Sequence, residues 1–305
     1  MSRWVRRIFI KEGCSSGWGK FSGNPVLGPE LGNCFDVCAV RKGEGYRMYF
    51  SWRSKRCLAI VQSADGLRWS PPQIVLLPDE NIEDEVNRPC VLIRAERWEM
   101  WFTSQCGPGM ADGNSRIFYA DSTDGIVWNR RPEPVLVPEC TWEKNAVMCP
   151  HVLWDEERLL YRLWYSGGDQ YEPDAIGYAE SKDGRQWTKI PEPIFRAEPS
   201  IVSEGHKVTA CQVIRHHNRY YMFYIGFEDE DTARIHLACS HDGISGWKRH
   251  PCNPILSPSQ SFDKDACYKP FVLPGRDGFY LWYNGRNGAR EQIGVAFHAG
   301  MDLGF

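Results

Sequence analysis

Four short stretches constrain this chain more than anything else in it. "SADGLRW" begins at Ser63, "STDGIVW" at Ser122, "SKDGRQW" at Ser181 and "SHDGISGW" at Ser240, a constant interval of 59 residues. A fixed interval of that size marks an array of similar units. Each motif follows an aromatic, alternating run: "YRMYFSW" (46–52), "WEMWFTS" (98–104), "RLWYSGG" (162–168) and "YYMFYIG" (220–226). A fifth run, "FYLWYNG" (279–285), stands in a unit without the motif. Alternation at period two, in short segments bounded by turn residues, predicts strands and leaves little room for long helices. The 13 Trp, 13 Tyr and 14 Phe suit pleated sheets, and 28 Gly with 20 Pro supply turns.

The order inside each unit is constant: an inner apolar strand, the aromatic strand, a third strand ending in Ser-x-Asp-Gly, and a fourth after Trp. Five such units predict an all-β fold, a five-bladed β-propeller of four-stranded antiparallel blades. The chain then forms a single domain over 1–305, with blades at about 33–80, 84–137, 143–196, 204–257 and 263–305. The fifth unit ends in "IGVAFHAGMDLGF" (293–305) and lacks a fourth strand. "WGKFSGNPVL" (18–27) repeats the pattern of "WKRHPCNPIL" (247–256), Trp, five residues, Asn-Pro and two aliphatics. The N-terminal segment is therefore expected to supply the missing strand, close the ring and remove exposed sheet edges.

A formal charge of −3 gives no overall field for a nucleic acid or a membrane surface. No apolar run reaches bilayer length, and the apolar stretch in "MSRWVRRIFIKEG" is too short for a signal peptide, so a cytoplasmic location is expected. The twelve cysteines lack a compact spacing and read as reduced thiols. Five of them, Cys38, Cys90, Cys149, Cys211 and Cys267, fall once per blade on or beside the innermost strand, where a small buried hydrophobe fits. A metal cluster is the alternative, but it lacks the paired spacing of zinc sites. Asp65, Asp124, Asp183 and Asp242 recur in identical contexts and read as turn acids bonding their own backbone, since a catalytic residue should be unique.

A five-bladed ring with Asn-Pro-aliphatic fourth strands and an Asp entering the first inner strand resembles the propeller glycosidases of glycoside hydrolase families 43, 32, 117 and 130. The resemblance covers nearly the whole chain as architecture. It implies a site at one end of the central channel, built from the starts of the inner strands and the loops between second and third strands. Here those are "NCFDVC" (33–38), "EDEVNRPC" (83–90), "EKNAVMCP" (143–150), "EGHKVTAC" (204–211) and "DKDACYKP" (263–270), with loops from Trp52-Arg53, Ser104-Gln105, Gly168-Asp169, Glu228-Asp229 and Asn284-Gly285-Arg286.

Asp36 occupies the place where the family 43 pattern has its general base, and glycoside hydrolysis needs one carboxylate to activate water and a second acid for the leaving oxygen. The second acid is expected at Glu204 or Glu85. The family 43 Glu of the fourth inner strand aligns with Thr209 and its third-blade Asp with Cys149, while the acidic pair that family 130 places before Pro-Arg is replaced by Asn87 and Arg88 before Pro89. His151 or His206 could serve as the acid, as a His does in family 117. Arg53, Arg88, Lys207, Lys269 and Arg286 map to the mouth and favour an anionic ligand, a uronate, a sialate-like acid or inorganic phosphate. Trp52, Asn87, Gln105, Asp169 and Asp265 complete the expected substrate-binding set.

Three readings follow: an exo-acting glycosidase with Asp36 as base, a phosphorylase in which Arg88, Lys269 and a His hold phosphate, and a propeller that binds carbohydrate without catalysis. No nucleotide cofactor is expected, because no Gly-rich loop follows a strand and opens a helix. A structural calcium ion in the channel, the sugar, the linkage and the oligomeric state stay open.

Overall fold

The computed structural model of the protein describes residues 9–110, 112–170 and 173–305. The basic start of the chain that was read against a signal peptide begins in residues 1–8, outside the described residues. The fold is all-β, with only two three-residue 3-10 turns, Arg53–Lys55 and Thr141–Glu143, among the described residues. No helix among them is long and apolar enough to cross a membrane.

Five antiparallel units follow one another. Their inner strands are Cys34–Lys42, Glu85–Arg94, Ala146–Asp155, Lys207–His216 and Ala266–Pro274. Each turns back into an aromatic second strand, Gly45–Trp52, Arg97–Cys106, Leu160–Gly168, Arg219–Phe227 and Gly278–Asn287. The third strands are Cys57–Ser63, Asn114–Ser122, Pro173–Ser181, Ala233–Ser240 and Arg290–Ala299. Fourth strands are short, two residues at Asn129–Arg130 and Lys248–Arg249, because backbone pairing lapses soon after Trp128 and Trp247. The second and third units share one sheet through a single parallel pair, Ala146 with Ser115, where separate four-stranded blades were expected.

The N-terminal strand Trp18–Phe21 pairs antiparallel with Arg290–Ala299, Trp18 opposite His298. Asn24 and Asn253 then act alike: each side-chain amide exchanges two hydrogen bonds with a third-strand backbone, Asn24 with Val295 and Asn253 with Leu237. That equivalence accounts for the repeated Asn-Pro. A strand the sequence reading missed, Phe9–Ile10, covers the outer edge of Trp18–Phe21.

The turn acids behave as the repeat implies. Oδ1 of Asp65, Asp124, Asp183 and Asp242 each accepts two backbone N–H bonds from the turn that follows. Those donors favour the charged form and hold each carboxyl below its ordinary value. The glycine after each acid has positive φ and presents its carbonyl to the neighbouring unit. Trp282 Nε1 donates to Gly66, Tyr49 OH to Gly125, Trp101 Nε1 to Gly184 and Trp164 Nε1 to Gly243. All twelve cysteines are free.

A second repeated element ties the layers together. Two residues after Trp18, Trp128, Trp187 and Trp247 stand Lys20, Arg130, Lys189 and Arg249, and each reaches a carboxylate just before an inner strand: Asp263, Glu83, Glu143 and Glu204. Three of these carboxylates also take a tyrosine hydroxyl, from Tyr283, Tyr165 or Tyr224. With the partners so placed, the charges stay buried in pairs between sheet layers.

The inner strands pack on one another in order, first on second, second on third, third on fourth, fourth on fifth, and fifth on first. Each carries a bulge near its start, and the bulge residue has left-handed φ: Asp36 at 59°, Arg88 at 54°, Cys149 at 55°, Ala210 at 38° and Lys269 at 51°. A non-glycine residue in that region costs of order 1 kcal/mol. At four junctions the bulge N–H is captured by a side chain of the preceding unit's second strand: Asn284 for Asp36, Ser51 for Arg88, Thr103 for Cys149 and Ser166 for Ala210.

Candidate functional site

A bulge turns one side chain out of the sheet face, and repeated around adjoining inner strands it brings five unlike side chains onto one tier. Asp36, Arg88, Cys149, Ala210 and Lys269 all line the same narrow cavity, with His151 and Gln212 deeper in it. A second, wider cavity adjoins it and shares Arg88, Cys149 and Lys269. Its wall is completed by Arg53, Lys207, Arg286, Glu291, Tyr268, Phe227 and Gln170, among others.

Asp36 is the carboxylate of the tier, and it is buried. Its Oδ2 accepts a bond of 2.9 Å from Ser51 Oγ, which itself accepts the Arg88 N–H. Its Oδ1 is buried without a hydrogen-bond partner and lies 3.4 Å from Lys269 Nζ. Lys269 Nζ also donates to Cys149 Sγ at 2.9 Å, so one ammonium is shared between a carboxylate and a thiol. Arg88 is held from behind: Nη1 donates to Asn87 Oδ1 and Gln105 Oε1, and Asn87 Nδ2 bonds the same Gln105 oxygen. Asn87 and Gln105, expected to touch substrate, are instead the cradle that aims Arg88.

At the outer wall Lys207 lies 4.5 Å above the Phe227 ring, and burial pulls its ammonium below the ordinary value. Arg286 bonds Asp231 through its carboxylate and its carbonyl. Tyr268 OH donates to Glu291 Oε1, and Arg53 Nη1 stands 3.6 Å from Glu291 Oε2.

The two proposed partners of Asp36 are not in this arrangement. Glu204 is fully buried, with Oε1 on Arg249 and Oε2 on Tyr224 at 2.5 Å each. It is the fourth unit's copy of the repeated buried acid, so its assignment as a catalytic acid is corrected to scaffold. Glu85 is at the register of Lys207 and Ala266, which do line the wide cavity, but it is not itself a lining residue. Trp52 turns away and donates to the Leu31 carbonyl. Asp169 is exposed and paired with Lys144, and His206 is exposed outside both cavities. Asp265 accepts the Gly288 N–H and borders a separate shallow groove beyond Arg286. His151 sits in the narrow cavity but is buried, bonds the Val213 carbonyl through Nε2 and has its pKa lowered to about 4 by burial. A neutral imidazole already engaged by backbone cannot hold an anion.

The sequence reading missed Gln170, Tyr268, Glu230, Asp231 and Glu291 as wall residues. Tyr268 precedes Lys269 directly and could have been found by extending the bulge alignment one residue. Glu291 starts a third strand, and no repeated signal marks it. The cysteines are not equivalent either. Cys38 and Cys90 take the Val91 and Val152 N–H at matching junctions, whereas Cys149 is a bulge residue. Among the described residues no group of three or more His, Cys, Asp or Glu could hold a metal ion. Arg88 and Lys269 on the tier also oppose calcium, which needs a shell of oxygens.

No family model matches the chain. It is 28% identical over 187 residues to an uncharacterized protein of Mycobacterium tuberculosis, covering 54% of this chain and 60% of that one. It is 30% identical over 135 residues to a β-1,2-mannobiose phosphorylase of Thermoanaerobacter, covering 39% of this chain and 43% of the relative. The matched part thus spans less than two thirds of either relative. A solved glycoside hydrolase superposes with a TM-score of 0.77 at 18% identity, over 99% of this chain and 97% of its own, and shares the fold.

Proposed function

We propose that the protein is a glycoside phosphorylase, built as a closed five-bladed propeller with the blade limits expected above and its site at the mouth of the channel. One observation carries the reading: the tier facing the channel holds one carboxylate, Asp36, between two cations, Arg88 and Lys269. Hydrolysis needs a second carboxylate to activate water. Phosphorolysis does not, because the phosphate oxygen is itself the nucleophile.

In this mechanism phosphate lies against Arg88 and Lys269 on one side of the sugar. A phosphate oxygen attacks the anomeric carbon, the glycosidic C–O bond breaks, and Asp36 gives its proton to the departing oxygen, yielding a sugar 1-phosphate and a shortened glycoside. Arg88 is suited to the task because Asn87 and Gln105 fix its guanidinium plane. The mannoside phosphorylase among the relatives makes a β-1,2-linked mannoside the first substrate to try. Free thiols throughout the chain accord with a reducing, cytoplasmic compartment.

The test is to incubate the protein with β-1,2-mannobiose with and without inorganic phosphate. Mannose 1-phosphate formed only with phosphate supports the reading. Equal release of mannose without phosphate reassigns the site to hydrolysis, and tight binding without turnover in either buffer makes it a binding module.

A further inference from the structure

Two carboxylate oxygens in the cavities are treated alike by the fold. Asp36 Oδ1 and Glu291 Oε2 are both buried, both lack a hydrogen-bond partner, and each has a cation at ion-pair distance, Lys269 at 3.4 Å and Arg53 at 3.6 Å. A buried acceptor left unbonded carries a desolvation cost that a ligand hydroxyl removes. Asp36 is accounted for by the reaction. Glu291 is not.

We propose that Glu291 is a sugar-recognising residue: its Oε2 accepts a hydroxyl of the glycoside, while Tyr268 and Arg53 hold the carboxylate in place. The inference rests on the reading of the site as one that takes a mannoside, and it adds the residue that selects the sugar.

Three features aim Glu291. Tyr268 OH donates to Oε1, leaving Oε2 as the free acceptor. Burial and the adjacent carboxylate push the Tyr268 phenol well above its ordinary pKa, so it stays a donor. The Glu291 backbone N–H donates to Asn33 Oδ1 at 3.1 Å, which ties this strand to the start of the first unit. Arg53 is itself stacked over Phe35 at 4.4 Å and supplies a countercharge without closing a short ion pair. Tyr268 lines the wide cavity, so the hydroxyl-binding carboxylate is flanked by an aromatic ring of the kind a pyranose packs on.

The experiment measures mannose binding by calorimetry on the whole protein, with Glu291→Gln, Glu291→Ala and Tyr268→Phe beside wild type, and places mannose in crystals by soaking. Hydrogen bonds to a charged partner contribute about 1.5–3 kcal/mol, so Glu291→Gln should weaken mannose about 10-fold or more and Glu291→Ala further. Tyr268→Phe should fall between wild type and Glu291→Gln. In the crystal a mannose hydroxyl should sit within hydrogen-bond distance of Glu291 Oε2. Melting temperatures report whether any variant is merely unfolded. Unchanged affinity in folded Glu291→Gln, mannose seated away from Glu291, or no mannose bound to wild type each overturns the proposal. Phosphate binding is titrated separately. If mannose binds on Glu291 but phosphate does not bind, the phosphorylase reading falls and this one stands.

Discussion

Asp36 and Glu204 are both buried acids at the start of an inner strand, yet they belong to different tiers of the molecule. Glu204 stands in the tier of Trp-x-Lys/Arg pairs, where four units supply the same thing: a carboxylate, a cation two residues after Trp, and commonly a tyrosine hydroxyl. Both its oxygens are bonded. Asp36 stands in the bulge tier, where the backbone repeats and the side chains do not: Asp, Arg, Cys, Ala and Lys. One of its oxygens is buried and unbonded, and the residue lines a cavity. Burial alone therefore says little about role. Repetition with satisfied partners marks scaffold, and variation at a repeated, strained backbone position marks the site.

The contrast fails or sharpens under mutation. The largest effect is expected at Asp36. Asp36→Asn keeps the shape and the Ser51 contact, should melt within a degree or two of wild type, and should lower turnover about 10²–10⁴-fold. A folded variant with wild-type turnover would return Asp36 to the scaffold.

Glu204→Ala should do the reverse. It leaves Arg249 and Tyr224 facing an empty position in a buried pair, which typically costs about 3–5 kcal/mol of stability, measurable by denaturant unfolding. Lys20→Met should cost a similar amount, because the same pairing recurs with Asp263 across the chain's two ends. If Lys20→Met were silent, the N-terminal strand would not be equivalent to the other fourth strands.

Buried histidines give a pH-dependent effect of intermediate size. His151 and His236 are held neutral by burial, with pKa values lowered to about 4 and about 3 from an ordinary 6.5. The unfolded chain takes up these protons first as pH falls. Their contribution is thus complete above about pH 6.5 and lost progressively below it, by at most about 3 kcal/mol for His151 on reaching pH 4. His151→Gln should flatten the decline in melting temperature over that range. A slope unchanged from wild type would remove His151 from the account.

The smallest effect is expected at the turns. Asp65→Asn retains an oxygen for the Leu67 and Arg68 N–H groups, so melting should shift by only about 1–2 °C and turnover per folded molecule should hold.

Much of this was legible in sequence, for one reason: whatever recurs at 59 residues can be aligned against itself. The strand order, the turn acids, the paired Asn-Pro segments and the pairing of the first strand with the last unit all rest on that recurrence. Asp36 was found by another route, the resemblance that puts a general base at the start of the first inner strand. Glu204 was misassigned because its fellows Glu83, Glu143 and Asp263 stand five or six residues before their bulges, and the pattern shows only when all four are compared with Lys20, Arg130, Lys189 and Arg249. The wall residue Glu291 was invisible for the opposite reason. It occurs once, and its hydrogen bond from Tyr268, on the inner strand one strand removed, leaves no periodic trace.

The capture of four bulge N–H groups by the unit before each has a consequence for how such a chain could be rebuilt. Ser51, in the first unit, bonds both the Asp36 carboxylate of its own unit and the Arg88 backbone of the next. Asn284, in the last unit, holds the backbone of Asp36 in the first. The repeat in the sequence and the bulge junctions are therefore out of phase, the junction unit running from one second strand to the next inner strand. A graft that exchanges one whole unit would put a foreign acceptor under a native bulge residue at one seam and a foreign bulge residue on a native acceptor at the other. A graft cut between inner and second strands, running from the second strand of one unit through the inner strand of the next, would carry each acceptor together with the inner strand it serves.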